Sequence, residues 1–166
     1  MIILGIDPGI ATTGFGVIQK SGNRLVPIEW GAILTKPDQP LAERLFKLST
    51  ELTQIIAKHQ PNHMSVEELF FNTNAKTALI VGQARGVILL AGAAAGLPVA
   101  SYTPGQVKTS VSGYGKADKN QVQQMVKHIL SLEKIPKPDD VADALALAIC
   151  HAHSYHPSRV IRQWGP

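Results

Sequence analysis

The spacing of apolar residues changes once along this chain of 166 residues, and that change limits the folds it can adopt. Residues 2–7 are continuously apolar and β-branched, which predicts a buried strand, and residues 14–19 predict a second one. Ser21-Gly22-Asn23 predicts a turn into a third strand over about 24–34. Pro27 lacks an amide hydrogen, so it favours a sheet edge or a bulge. Three strands joined by short turns form a meander.

From residue 41 onward the apolar residues take a helical spacing. Leucines and isoleucines share one face of a helix that begins at residue 41 and ends before Pro61. Six further elements are predicted: a strand over 63–67, a helix over 75–95, a strand over 98–102, and helices near 104–111, 119–131 and 139–153.

The order of these elements determines the expected fold class. A meander followed by alternating helices and strands predicts an α/β fold, a mixed five-stranded sheet with helices on both faces. A chain of 166 residues is long enough for one such domain with its own core. We expect that domain to span residues 1–155. Residues 156–166 lack a periodic pattern and are expected to form a C-terminal surface tail.

Composition narrows the classes of function. No apolar run reaches the roughly 20 residues that cross a bilayer, and the first residues lack the basic start and cleavage site of a signal peptide. The single Cys150 excludes an internal disulfide, which suits a reducing cytoplasm. Lysine and arginine number 16 against 12 for aspartate and glutamate, an excess that favours an anionic partner such as nucleic acid.

Four acidic residues lie where apolar segments begin or end. Asp7 ends the first strand, Glu67 ends the strand over 63–67, and Asp140 and Asp143 share one face of the last helix. Sites in α/β sheets form beyond the ends of central strands, so the fold can bring these carboxylates together. Converging carboxylates need a cation between them, and Mg²⁺ or Mn²⁺ suits oxygen ligands. The pattern indicates a metal-dependent enzyme, with two ions suited to phosphodiester hydrolysis.

Each acid also has a simpler explanation. Acids in the first turns of the last helix could serve only its dipole. Asp7 could be a turn residue before Pro8-Gly9. Spacing alone does not decide between Glu67 and Glu68, or between the neighbouring aspartates at 139 and 140.

Six short motifs follow one another in order along nearly the whole chain. They are Ile3-Leu4-Gly5-Ile6-Asp7-Pro8-Gly9, Thr13-Gly14-Phe15-Gly16, Val66-Glu67, Gly82-Gln83-Ala84-Arg85-Gly86, Gln106-Val107-Lys108 and Ala142-Asp143-Ala144-Leu145-Ala146. This ordered set resembles the RuvC family of Holliday-junction resolvases over about residues 2–153. The resemblance implies a ribonuclease H-like fold.

The resemblance also implies an activity. It implies a homodimer in the bacterial cytoplasm that nicks two opposed strands of a four-way DNA junction symmetrically, leaving 5′-phosphate and 3′-hydroxyl ends. It implies two Mg²⁺ ions in each active site, which Mn²⁺ can replace, and a branch-migration motor as partner. It places the catalytic and metal-binding carboxylates at Asp7, Glu67, Asp140 and Asp143, and so decides both ambiguous pairs.

A glycine-rich, basic segment over 112–119 supplies candidates for DNA binding. Asp118 and Gln121 fit a capping box that starts a helix. Lys119 then lies in the first turn, where a cation opposes the helix dipole but suits a phosphate. The resemblance places Lys108 and Lys119 near the scissile phosphate and Phe70 against a junction base, with Phe71 structural. The full predicted DNA-binding set is Phe70, Arg85, Lys108, Lys116 and Lys119.

Two further features lead to expectations about surfaces. The helix over 75–95 is rich in glycine and alanine, so it is expected to pack closely on the sheet or on a second subunit, and it is the candidate dimer interface. His151, His153 and His156 are expected to form a solvated helix end, because no cysteine or acid completes a zinc site around them.

Other functions are compatible with parts of the pattern. A non-catalytic junction-binding protein would not need all four acids. A ribonuclease H-like nuclease acting on ribosomal RNA precursors fits the motifs less well. Sugar-kinase and actin-like ATPases share the start of the sheet but need two such domains and about twice the length.

Overall fold

The computed structural model describes residues 1–69 and 75–155, and contains five strands and five helices within them. The strands are β1 (Ile2–Asp7), β2 (Thr12–Ser21), β3 (Arg24–Leu34), β4 (His63–Glu67) and β5 (Val99–Tyr102). The helices are α1 (Leu41–His59), α2 (Ala75–Ala94), α3 (Pro104–Ser112), α4 (Lys119–Ile129) and α5 (Asp139–Ser154). The predicted tail over 156–166 lies outside the described residues, as do Phe70 and Phe71.

The five strands form one mixed sheet in the order β3-β2-β1-β4-β5. The meander β1-β2-β3 is antiparallel, whereas β4 and β5 add to it in parallel with β1. The helices α1 and α2 form the connections that parallel strands require. The predicted order of elements and the mixed five-stranded sheet are confirmed.

The predicted role of Pro27 is also confirmed. β3 is an edge strand, and the pairing between β2 and β3 shifts at the position of the proline: Val17 pairs with Glu29, but the next residue, Ile18, pairs with Pro27. Ile28 is the extra residue of this bulge. A proline cannot donate to a ladder, so the bulge and the edge position both accommodate it.

Apolar side chains cover both faces of the sheet. One cluster packs α3, α4 and α5 onto the face that includes Ile3, and a second packs α1 and α2 onto the face that includes Leu4 and Ile6. Side chains alternate between faces along a strand, so Asp7 lies on the same face as Ile3, under α5. Met64 and Val66 belong to the second cluster, so Glu67 likewise lies on the α5 face.

Three glycines allow α5 to approach the sheet closely. A Cβ atom on Gly5 would overlap the carbonyl oxygen of Ala144, and one on Gly14 would overlap the carbonyl oxygen of Asp140. A Cβ atom on Gly16 would lie 2.6 Å from Cδ2 of Leu145. The backbone of α5 therefore rests directly on β1 and β2, which explains why glycine is required in this part of the meander.

Local signals set the starts of the two helices that flank the glycine-rich segment. The hydroxyl of Thr103 and the carboxylate of Asp118 each accept a hydrogen bond from the backbone amide of the third residue of α3 and α4 respectively. In return, the side-chain oxygens of Gln106 and Gln121 accept from the backbone amides of Thr103 and Asp118. The predicted capping box at Asp118 is thus confirmed. Within residues 1–69 and 75–155, no helix combines the length and the apolar character that crossing a membrane demands.

Candidate active site

Asp7 and Glu67 end two neighbouring parallel strands. β1 and β4 pair in parallel from Ile3 with His63 to Ile6 with Val66, so their carboxyl ends meet at one edge of the sheet. Both side chains point toward the face that α5 covers. The geometry therefore brings together two acids that are 60 residues apart in sequence (67 − 7).

Asp140 and Asp143 reach the same edge from the start of α5. Gly14 pairs with Asp7 in the sheet, and the carbonyl of Asp140 lies against Gly14. The first turns of α5 consequently lie over the end of β1. All four predicted carboxylates are brought to one edge of the sheet.

Burial and mutual repulsion disfavour the ionised forms of three of these acids, Asp7, Glu67 and Asp143. Burial, followed by the charges of Glu67, Asp143 and Asp140, raises the pKa of Asp7 to about 8 against the opposing effect of Lys119. Burial, followed by the charge of Asp143, also raises the pKa of Glu67. Burial raises the pKa of Asp143 despite its contact with Lys119. A cation placed among these groups would reverse the effect, because it favours the charged carboxylates.

Lys119 supplies part of that positive charge. Its Nζ lies 3.2 Å from Oδ2 of Asp143 and 3.3 Å from Oδ2 of Asp139. Burial would lower the pKa of Lys119, but the contacts with Asp143 and Asp139 outweigh it and raise the pKa. The ammonium therefore stays charged beside the acidic cluster.

The carboxylates are gathered but are not preformed as a metal cage. Among the described residues, no three histidine, cysteine or acidic side chains converge closely enough to hold an ion as they stand. Asp143 instead faces the ammonium of Lys119.

A cleft of about 250 Å³ opens beside the acids. Its lining includes the acids Glu67 and Asp143, Lys108 of α3 and Lys119 of α4, together with apolar side chains. Such a mixed lining suits a phosphate group together with the cations that neutralise it.

The two neighbouring acids that spacing left open have different surroundings. The side chain of Glu68 is exposed, and its amide donates to the carbonyl of Tyr102. Asp139 pairs with Lys137 at 2.6 Å as well as with Lys119. Hydrogen bonds from Lys137, Gln123 and Lys119 lower the pKa of Asp139 to about 2. Asp139 thus belongs to an exposed ion-pair network rather than to the buried cluster.

The predicted DNA-binding residues occupy different positions around the cleft. Lys116 is exposed on the turn between α3 and α4, which is held by the left-handed Gly113 and by a backbone bond from Ala117 to Tyr114. Arg85 of α2 points inward: its Nε donates to the carbonyl of Glu67 at 3.0 Å, and its Nη2 donates to Oγ of Ser101 at 2.7 Å.

The expectation of a solvated histidine cluster is wrong for His151. Its side chain is buried with 4% exposure, and its Nδ1 shares a hydrogen bond of 2.8 Å with the hydroxyl of Tyr102. α5 packs on the sheet along its whole length, so a residue near its end still faces the core. His153 is exposed as expected, and His156 lies outside the described residues.

The burial of His151 predicts a pH-dependent stability. Burial, with smaller effects from His63 and Lys20, lowers the pKa of His151 to about 4. As the pH decreases from about 6.5 to 4, the unfolded chain therefore binds a proton at His151 that the folded chain does not bind. The free energy of unfolding should therefore decrease as the pH decreases through that range. His151→Gln, which keeps a partner for Tyr102, should remove about 1–3 kcal/mol of this loss. Thermal unfolding from pH 4.5 to 7.5 measures it; identical pH profiles for the two proteins would contradict it.

Sequence reasoning missed two contacts of the site. The pairing of Lys119 with Asp143 joins α4 to α5, and the bond from Arg85 joins α2 to the end of β4. Each contact joins residues at least 18 positions apart (85 − 67), so no local spacing signals it. The motifs contained Glu67, Arg85 and Asp143, but their spacing does not show which residues these side chains contact.

Comparison with known proteins gives a consistent result. The family model described as crossover junction endodeoxyribonuclease RuvC matches residues 3–151. The protein of that name from Pelotomaculum thermopropionicum is 57% identical over 162 residues, which cover 98% of this chain and 99% of that protein. The one from Desulforamulus reducens is 64% identical over 152 residues, 92% and 93% of the two chains.

The fold has a close match among solved structures. T. thermophilus RuvC in complex with a Holliday junction substrate has a TM-score of 0.88 and 38% sequence identity to this chain, covering 92% of this chain and 93% of that one. This match confirms the predicted ribonuclease H-like fold.

Proposed function

The chain belongs to the RuvC family of crossover junction endodeoxyribonucleases, and on that premise we propose that it resolves Holliday junctions in recombination and DNA repair by nicking two opposed strands. One observation supports the chemistry most strongly. Four carboxylates, on three separate segments of the chain, lie at one edge of the sheet, and burial and repulsion disfavour the ionised forms of Asp7, Glu67 and Asp143 in the absence of a cation.

We assign the metal site to Asp7, Glu67, Asp140 and Asp143, with two Mg²⁺ ions in each active site and Mn²⁺ as a substitute. The donor set fits these ions, because all four side chains offer hard oxygen ligands. Bound ions of this kind polarise a phosphodiester and lower the pKa of an attacking water. The carboxylates hold the site in place at the ends of β1 and β4 and at the start of α5.

The lysines around the cleft bind and orient the DNA backbone. Lys119 lies between the acidic cluster and solvent, so its ammonium can exchange Asp143 for a phosphate oxygen when cations enter. Lys108 faces the same cleft, and Lys116 extends the positive surface along the turn. Phe70, three residues after Glu67, is proposed to stack on a junction base, which is worth about 1–3 kcal/mol.

A homodimer matches the symmetry of the substrate, since two copies of one site can cut two opposed strands. α2 is the proposed interface. Leu79 and Leu90 lie on one helical stripe with Gly82 and Gly86, and the leucines are 64% and 69% exposed. No neighbouring atom of this chain's described part lies within 4 Å of a Cβ built on either glycine, so close packing within the chain does not require them.

Replacement of one exposed leucine should therefore separate the subunits. In a symmetric dimer, Leu90→Arg places two positive charges at the proposed interface, one from each subunit. Loss of two buried leucines at about 1.5–3 kcal/mol each should weaken the dimer at least about 100-fold. Light scattering after size exclusion measures the mass. Met125→Arg, on α4, should remain dimeric; a dimeric Leu90→Arg protein would place the interface elsewhere.

The products of cleavage test the proposed reaction. A synthetic four-way junction with each of its four strands labelled in turn should be nicked on two opposed strands at matching positions, and a ligase should reseal the nicks because they carry 5′-phosphate and 3′-hydroxyl ends. Nicks on one strand alone, or ends that a ligase cannot join, would contradict it.

The extent of the nuclease unit, its partner and its location in the cell are also proposed. Residues 1–155 form the nuclease unit. A branch-migration motor is the proposed partner, because a resolvase requires junctions that have been moved to a cleavable position. The bacterial cytoplasm is the proposed location, and the free, buried thiol of Cys150 suits it.

A further inference from the structure

One guanidinium group joins the ends of two strands beside the acidic cluster. Nε of Arg85 donates to the backbone carbonyl of Glu67 at 3.0 Å, and Nη2 donates to the hydroxyl of Ser101 at 2.7 Å. Glu67 is the last residue of β4, and Ser101 is the last but one of β5. The side chain that reaches them comes from α2 and is half-buried.

The end of β4, where the carboxylate of Glu67 is placed, lies near the margin of the sheet. β5, its outer neighbour, has four residues and forms the edge of the sheet. Pairing between β1 and β4 ends one residue earlier, at Ile6 with Val66, so Glu67 pairs only with Tyr102 of β5. The charge of Asp143 opposes the ionised form of Glu67 from across the site. The direction of the Glu67 side chain therefore depends on a backbone position at the margin of the ladder.

Arg85 acts on that backbone rather than on the carboxylate. Its bond is to the carbonyl oxygen of Glu67, and the ion pairs of the site involve Lys119 instead. Two nitrogens of the guanidinium, Nε and Nη2, are used within the protein. A lysine has the same charge but cannot make this pair of bonds from one planar group.

We propose that Arg85 is a positioning residue: it fixes the end of β4 against β5, so that the carboxylate of Glu67 points into the metal site, and it does not serve mainly as a DNA contact. This inference rests on the proposed function. It replaces the DNA-binding role predicted for Arg85 from the sequence with one that the two hydrogen bonds define.

The two roles predict different results for Arg85→Lys. A positioning role predicts that the metal concentration for half-saturation rises about 10-fold, since residues that orient metal ligands typically contribute 10- to 100-fold. Junction affinity without metal should change less than about twofold, and its salt dependence should keep its slope. A phosphate contact predicts uniformly weaker binding and a slope smaller by about one.

Mn²⁺ titration followed by electron paramagnetic resonance measures metal binding directly in the junction complex, and fluorescence anisotropy measures junction affinity over a salt series. Excess Mn²⁺ should restore most of the cleavage rate of Arg85→Lys. Unchanged Mn²⁺ binding with a reduced salt slope would overturn the proposal in favour of a DNA contact.

Ser101→Ala is the matched second variant. It removes only the acceptor of Nη2 and leaves the bond to Glu67 possible, so the half-saturating metal concentration should rise by about twofold, less than in Arg85→Lys. If Arg85→Lys fails to fold, unchanged Mn²⁺ binding by Ser101→Ala overturns the proposal by itself. Failure of the wild-type protein to nick junctions would instead refute the proposed function.

Discussion

Asp7→Asn should abolish strand cleavage while junction binding persists. The substitution removes one proposed metal ligand and keeps the shape of the side chain. Stabilisation by such an ion is worth several kcal/mol, so the rate of nicking should fall about 10³-fold or more. The lysines around the cleft are unaffected, so the Kd for the junction should change by less than about threefold.

The same substitution should stabilise the protein in the absence of metal. Burial raises the pKa of Asp7 to about 8, so the folded state retains a proton that the unfolded chain releases near pH 4. Stability is therefore lost as the pH rises from about 4 to 8, and the neutral amide avoids that loss. At pH 8 in a chelator, Asp7→Asn should be more stable by at least about 1 kcal/mol, or about 2–4 °C in Tm. Below pH 4 the advantage should vanish.

Asp38→Asn provides the control. Asp38 is exposed in the turn between β3 and α1, so the same chemical change there should alter neither cleavage nor Tm. Unimpaired cutting by Asp7→Asn would remove Asp7 from the metal site, and an unchanged Tm at pH 8 would show that its carboxylate is not destabilised by burial.

Gly14→Ala should damage both the fold and the site. The added methyl group would overlap the carbonyl oxygen of Asp140, so the start of α5 must move away from β2. Overpacking of this kind costs about 1–3 kcal/mol, or about 2–12 °C in Tm. Asp140 and Asp143 belong to that helix, so the rate of cleavage should fall by more than the loss of stability explains. The rates are compared at a temperature where both proteins are folded.

Gly105→Ala is the matched comparison. Gly105 lies in α3, and the nearest atom to a Cβ built there is Oγ1 of Thr103, at 3.9 Å. Alanine is the better helix former, so this variant should be neutral or slightly more stable, with normal cleavage. If Gly14→Ala behaves like Gly105→Ala, close contact between α5 and β2 does not position the acids.

Features that depend on local sequence were predictable. The meander, the helical spacing after residue 41, the bulge at Pro27 and the capping box at Asp118 each follow from the preferences of a few neighbouring residues. The convergence of Asp7 and Glu67 was also predictable, because parallel strands end at the same edge.

Features that depend on packing between distant segments were not predictable from spacing. The choice of Asp140 over Asp139 came from family resemblance, and only the structure shows that Asp139 pairs with Lys119 and Lys137. The burial of His151 depends on how α5 crosses the sheet, and the inward direction of Arg85 depends on where α2 lies beside β4 and β5. Each requires the tertiary structure.

The dependence of junction nicking on Mg²⁺ tests the central claim most directly. A titration of Mg²⁺ with a synthetic four-way junction, and with linear duplex as the control substrate, measures whether the four carboxylates form a metal-dependent site selective for branched DNA. We predict no nicking in a chelator, a saturable rise with Mg²⁺ on the junction, and no comparable cutting of the duplex. Nicking that persists in the chelator, or equal cutting of both substrates, would contradict the account.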